Sequence, residues 1–324
     1  MQERIYVISG ASSGIGRALA IKLAGSDVVL GLVGRDAARL AHTAEACTSG
    51  GASVHALVAD VRRRDELRAS LLQFDADHPV DCVIANAGVS VGTSPTGEIE
   101  TEDETFALLE TNLTGALATA LPLIPRMRAR RRGRVVFISS IAALAPLPDA
   151  AAYSASKAAL LAYGLAKRER LRAEGIKVNV VCPGFVTTPM AGHYLGWRPL
   201  EISPEDAARR IVRGLQRDRT VIAFPWPLVW VRAFSRCCQS CCVVSDRTHS
   251  ASTLRRGNEV APDSAPSARV EQAPMCSRSM AFRVHRSSCR PLNRAFRLFD
   301  RLQCPDMQPL SVEALAVEPA AFGG

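Results

Sequence analysis

Lysine is scarce in this chain: Lys22, Lys157, Lys167 and Lys177 are its full complement, so arginine carries nearly all of the positive charge. Aromatic residues make up 5% of the sequence, and no uncharged apolar run approaches the ~18 residues that a transmembrane helix needs. The first residues do not have the shape of a leader either, because positions 1–9 read as a strand rather than a charged stretch followed by an apolar one. The expectation is a cytoplasmic protein with no membrane span. Zinc-ligand spacing is also lacking. Cys238-Gln239-Ser240-Cys241 is a C-x-x-C, but no second ligand pair follows at the usual distance and His249 alone is a weak partner, so no metal site is read.

What is present is a globular composition. At 324 residues and 48% hydrophobic content the chain can hold one large domain, or one domain and a tail. The formal charge of +9 invites a nucleic-acid reading, yet the dense basic run is confined to Arg126–Arg134. That run falls where a helix should end, and cations there meet the last carbonyls favourably. No nucleic-acid partner is expected.

Taken in order, the chain alternates strands with helices, which is the pattern of an α/β fold with a parallel sheet covered on both faces. Residues 3–9 form an apolar strand, and Gly10-Ala11-Ser12-Ser13-Gly14-Ile15-Gly16 follows before a helical pattern over 17–25. A strand, a glycine turn and a helix start make an anion site, since unpaired backbone N–H groups and the helix dipole point at one spot. Residues 28–33 read as the second strand. In a dinucleotide-binding unit an acidic residue at its end would favour a free ribose 2′-hydroxyl. Gly34 and Arg35 stand there instead, so a 2′-phosphate and hence NADP is favoured, with NAD as the other possibility. Asp36 is either the ribose acceptor or the N-cap of a helix over 37–47.

The third strand, 53–59, delivers Asp60 and Val61 to its carboxyl end. Asp60 could accept from an adenine amino group or cap a helix over 62–74, with Asp65 competing for the cap. The fourth strand, 81–85, is followed by Asn86-Ala87-Gly88, small enough to lie close against a nucleoside. A long helical stretch, 102–127, contains Asn112, whose amide either holds a water next to Lys157 or is satisfied in a helix kink. The fifth strand, 133–139, carries Ser140 out at the same edge, and open parallel sheets bind ligands there.

Ala151–Arg172 should be helical, which places Tyr153 and Lys157 on one face. An ammonium next to a phenol favours the phenolate, so the expected effect is a lowered Tyr153 pKa and a useful general acid/base. Ser140 can hydrogen-bond the oxygen that Tyr153 protonates.

Together these residues resemble the classical branch of the short-chain dehydrogenase/reductase family. The motifs are Ser9-Gly10-Ala11-Ser12-Ser13-Gly14-Ile15-Gly16, Asp60-Val61, Asn86-Ala87-Gly88, Asn112, Ser140, Tyr153, Lys157, and Pro183-Gly184-Phe185-Val186-Thr187-Thr188. Ser9 stands where the family usually has Thr, and Ala85 where it often has Asn. The resemblance implies a single Rossmann-type doubly wound sheet of about seven strands over residues 1–235. It implies a catalytic tetrad of Asn112, Ser140, Tyr153 and Lys157, with Lys157 on the nicotinamide ribose and Thr188, rather than Thr187, on the carboxamide. It also implies cofactor contacts from the glycine turn, Arg35, Asp60-Val61, Asn86 to Gly88, Pro183, Gly184 and Val186.

The expected activity is hydride exchange between NAD(P) and a ketone or secondary alcohol. A dinucleotide-sensing binding protein that uses the same cleft without turnover is the competing reading. Met190, Tyr194, Leu195, Trp197, Leu200 and Ile202 could form an apolar lid facing Leu144 and Leu147, which points to an apolar substrate. The apolar faces of residues 107–123 and 151–171 resemble the family's subunit-pairing helices, so a homodimer or homotetramer is expected. Residues 225–234 could cap the core, extend a dimer contact or touch a membrane surface, the core being the preferred reading. After Arg236 the composition turns to Cys, Ser, Arg and Pro, and 236–324 reads as a mostly irregular tail, with helical periodicity only over 292–303. An altered reading frame appended to a complete enzyme would produce such a change.

Overall fold

The computed structural model describes residues 4–90, 100–194 and 198–225. Contacts divide the chain into Met1–Arg256 and Gly257–Gly324, and every described residue belongs to the first unit. The expected tail, its helical segment over 292–303 and the stretch 226–234 therefore lie outside the described residues.

The strands are β1 (Arg4–Ser9), β2 (Val28–Gly34), β3 (Ser53–Val58), β4 (Cys82–Ala85), β5 (Gly133–Ile138), β6 (Ile176–Pro183) and β7 (Val221–Phe224). The helices are α1 (Gly14–Leu23), α2 (Ala37–Ser49), α3 (Arg64–Asp77), α4 (Glu102–Leu109), α5 (Gly115–Ala120), α6 (Ile124–Arg130), α7 (Ala151–Arg172) and α8 (Pro204–Gln216). All strand pairs are parallel, in the order β3-β2-β1-β4-β5-β6-β7. The chain winds outward from β1 to β3 and then crosses back to β4. Helices cannot cover the carboxyl ends of β1 and β4 where the winding reverses, and a crevice opens there.

Two apolar layers sandwich the sheet. On one face Leu19, Leu40 and Ile211 pack against Leu30, Leu32 and Ile84. On the other, Leu67, Leu71, Ala116 and Leu160 pack against Val7, Val83 and Phe137. Large side chains such as Phe137, Leu30 and Leu71 are almost wholly withdrawn from water, each worth about 1.5–3 kcal/mol of transfer free energy. Every residue of β2 is buried, whereas none of β3, at the sheet edge, is buried.

The stretch 102–127, expected as one long helix, is interrupted. α4 passes into a π-turn at Glu110–Thr114 and then into α5. By length and composition Glu102–Arg130 could cross a membrane, but 56% of its apolar window is buried, as expected of a helix packed on a sheet. The arginines after it are paired: Arg130 makes a two-pronged contact with buried Asp75, Arg132 meets Asp81, and Arg128 meets Glu174. Carboxylates thus occupy much of the basic run that invited a nucleic-acid reading.

Candidate active site

Ser9 Oγ accepts from the backbone N–H groups of Asn86 and Ala87 at 3.1 and 3.2 Å. The serine hydroxyl therefore ties the end of β1 to the end of β4 and fixes the floor of the crevice. Asn86 Nδ2 donates to the carbonyls of Ser9 and Gly10 at 3.0 and 3.2 Å, tying the glycine turn to the same floor. Gly10 and Gly14 take positive φ of 65° and 52°, a conformation that costs glycine little. Gly16 is needed for another reason: a Cβ there would stand 2.2 Å from Gly10 O and 2.5 Å from Asn86 Nδ2.

α1 begins at Gly14, earlier than the expected Arg17, and its N-cap Ser13 makes no side-chain cap bond. The helix start is thus available to an anion. This fits the pyrophosphate of a dinucleotide.

At the adenosine end, Asp36 caps α2 by accepting from Arg39 N, and its other oxygen takes Arg39 Nε at 2.7 Å. The backbone and side-chain hydrogen bonds from Arg39 hold the Asp36 carboxyl below its ordinary range. Asp60 does not cap α3, and neither does Asp65; the N-cap position is Arg63, without a side-chain cap bond. Asp60 is instead gripped by Arg62, with Nη2 at 2.7 Å, and has Arg35 at 4.0 Å. The hydrogen bonds from Arg62 lower its pKa against the opposing effect of burial.

A cavity of about 340 Å³ runs from this end past the glycine turn to Ser140. Gly10, Ser12, Ser13, Gly14, Ile15, Arg35, Asp60, Val61, Asn86, Ala87, Gly88, Ser140, Tyr153, Lys157, Pro183, Gly184, Val186 and Thr188 all line it. Gly16 and Asn112 do not; they stand behind the wall. Arg39, Ser90, Phe185 and Leu147 also line it. Of these, Arg39 was missed in the sequence, although its place three residues after a capping Asp was a readable sign.

The Ser140 end of the cavity is built on α7. Tyr153 is half-buried and Lys157 is buried, with Lys157 Nζ 5.5 Å from the centre of the Tyr153 ring. Lys157 Nζ donates to Ile138 O at 3.0 Å, and Ser139 Oγ donates to Lys157 O at 2.7 Å. Ser140 Oγ accepts from Ala142 N at 3.1 Å, and Ser140 lines the cavity.

Burial raises the Tyr153 pKa above 10.0, with the Ser140 hydroxyl pulling it partly back. This is opposite to the lowering expected from Lys157: loss of water around the phenol is the largest effect, and the opposing pull comes from Ser140, not from Lys157. Burial brings Lys157 down from 10.5 to about 8. Cys182, beneath this group on β6, is pushed up to about 12 by burial and remains a thiol.

Asn112 sits in the π-turn. Its Oδ1 accepts from Val89 N at 2.7 Å, and its Nδ2 donates to Val89 O at 2.8 Å and to Ser156 Oγ at 3.4 Å. The amide is satisfied in a helix kink. A Cβ on Gly88 would lie 3.2 Å from Asn112 Oδ1 and 3.4 Å from Lys157 Nζ, so these residues are immediate neighbours.

Among the expected lid residues, Met190, Tyr194 and Leu147 line the cavity, and the Phe185 and Tyr194 rings lie 5.5 Å apart. Leu200 is instead 52% exposed, and Ile202 bridges Val186 and packs on the core. Leu144 is not on the cavity wall, and Leu195 and Trp197 lie outside the described residues. Thr188 lines the cavity with its hydroxyl accepting from Ala191 N, while Thr187 is bonded to Ile202 O.

A parallel sheet with a glycine-lined crevice at its winding reversal defines a dinucleotide-binding fold. The chain belongs to the short-chain dehydrogenase family, whose model matches residues 4–198. An uncharacterised oxidoreductase of Myxococcus xanthus is 34% identical over 229 residues, covering 70% of this chain and 90% of that one. The 1-deoxy-11-beta-hydroxypentalenate dehydrogenase of Streptomyces exfoliatus is 35% identical, covering 68% and 82%. Among solved structures, a short-chain dehydrogenase of Sphingobium yanoikuyae in complex with NADPH is 26% identical, with a TM-score of 0.63, covering 79% and 98%. One from Mycobacterium paratuberculosis bound to NAD is 26% identical, with a TM-score of 0.61, covering 68% and 95%. The chain is thus an NAD(P)-dependent oxidoreductase of the CH–OH/C=O type.

Proposed function

We propose that this enzyme exchanges a hydride between NADPH/NADP⁺ and an apolar ketone/secondary alcohol pair. The observation that carries the reading is that Ser140, Tyr153 and Lys157 share one cavity wall, continuous with the glycine turn. The bound cofactor supplies the hydride. In the reductive direction the protonated Tyr153 hydroxyl donates its proton to the substrate oxygen, and Ser140 holds that oxygen by a hydrogen bond. Lys157 binds the cofactor's nicotinamide ribose, and Thr188 orients its carboxamide. Asn112 acts by fastening Val89 beside Lys157, which keeps the crevice wall in place; a relay water next to Lys157 would stand against this group.

The preference for NADP rests on Arg35 at the adenosine end and on Asp36 being occupied by Arg39. A free Asp36 would repel a 2′-phosphate; one neutralised by a guanidinium does so far less. Solved neighbours of equal identity hold NADPH in one case and NAD in the other, so the choice rests on these two residues. Leu147, Met190, Phe185 and Tyr194 make the substrate end apolar, which supports a lipid-like, cyclic or aromatic carbonyl compound. Phe106, Leu121 and Leu165 stay 63%, 41% and 38% exposed along the α4–α7 elements, which supports a homodimer or homotetramer.

The test is cofactor absorbance with a panel of ketones. Faster turnover of apolar ketones with NADPH than with NADH is expected; preference for small charged keto acids would reject the substrate class. Arg35→Asp should swing selectivity toward NAD, and unchanged selectivity would reject the role of Arg35.

A further inference from the structure

α7, which carries both Tyr153 and Lys157, begins without a side-chain cap of its own. Its N-cap is Ala150, and its first turn holds no acidic residue. The donor at Ala152 is met from far along the chain: Ala152 N donates to Glu100 Oε2 at 2.8 Å. The next residue, Thr101, opens α4 in a reciprocal capping box with Glu104. Consecutive residues thus fix the starts of two helices, one of them the helix that holds the proton donor. A carboxylate at that point serves both as acceptor for an unpaired N–H and as a negative charge at the positive end of the dipole.

The rest of the segment is fastened by serines. Ser154 Oγ accepts from Leu147 N at 2.9 Å, Ser156 Oγ donates to Tyr153 O at 2.7 Å, and Ser139 Oγ donates to Lys157 O at 2.7 Å. These contacts leave the entry of the helix, one residue before Tyr153, to Glu100.

We propose that Glu100 is a positioning residue for the reaction: its carboxylate sets the first turn of α7 and thereby the place of the Tyr153 hydroxyl relative to Ser140. The inference rests on the reading of Tyr153 as proton donor. Its test compares Glu100→Ala, Glu100→Gln and Tyr153→Phe with NADPH and the best ketone of the panel, measuring kcat, KM, cofactor Kd and Tm. Glu100→Ala should lower kcat about tenfold through misplacement of the donor, with cofactor Kd unchanged. Glu100→Gln should recover most of the loss, since its amide oxygen can accept the same N–H. An inactive Tyr153→Phe beside a Glu100→Ala variant with wild-type kcat, or one altered only in Tm, would overturn the assignment of Glu100 alone. An active Tyr153→Phe would overturn the proton-donor reading and the Glu100 assignment with it.

Discussion

The Arg39 guanidinium closes on Asp36, with Nε 2.7 Å from Oδ2, while the Arg39 backbone N–H takes Oδ1 at 3.0 Å. Both oxygens of the acid at the adenosine end are therefore engaged from one residue. Arg39→Gln should free the carboxylate and reduce the NADPH/NADH ratio of kcat/KM by roughly three- to tenfold. Adding Asp36→Asn, which keeps a good N-cap, should restore the ratio. A direct role of Arg39 on the 2′-phosphate would show as failure of that restoration.

Lys157 is a buried cation whose loss of water costs stability, and the proposed reaction uses it. Its folded pKa of about 8 lies below the ordinary 10.5, so between these values the unfolded chain binds more protons and stability rises with pH. The burden of the charge is complete below the folded pKa and vanishes above the unfolded one. Lys157→Met should therefore raise the Tm of the cofactor-free protein at pH 7 while removing activity. The Tm difference should shrink as pH rises above about 8, the folded value of Lys157. A Tm difference independent of pH would contradict the buried-charge explanation.

Gly16→Ala places a methyl 2.2 Å from a backbone carbonyl in the glycine turn. Because that oxygen belongs to Gly10 and cannot swing aside like a side-chain tip, the turn and α1 must move apart, at a cost of about 1–3 kcal/mol. A lowered Tm together with a cofactor Kd weakened at least tenfold or so is expected, read by thermal melting and fluorescence titration. Wild-type values for both would show that the turn is looser than the structure has it.

Much of this was legible in the sequence because it is local. The Ala/Leu-rich run delimits α7 at Ala151 and Arg172, as the structure has it, and apolar runs followed by Gly10, Asp60, Asn86 and Ser140 place these residues on one rim. The remainder depends on distant partners. The π-turn at Asn112 coincides with contacts to Val89 and with Gly115, where a Cβ would come within 2.6 Å of Val61. The capture of Ala152 by Glu100 joins positions that no periodicity relates. The direction of the Tyr153 shift follows from burial, which a spacing of phenol and amine does not reveal.

In the proposed reaction Tyr153 is the proton donor, and its raised pKa keeps the hydroxyl protonated through neutral pH. The most direct measurement is single-turnover oxidation of bound NADPH by an apolar ketone in wild-type protein and in Tyr153→Phe. A fall of about 10²–10⁴-fold with cofactor Kd unchanged is predicted, the range expected for loss of a positioned general acid. Equal rates in the two proteins would contradict the account.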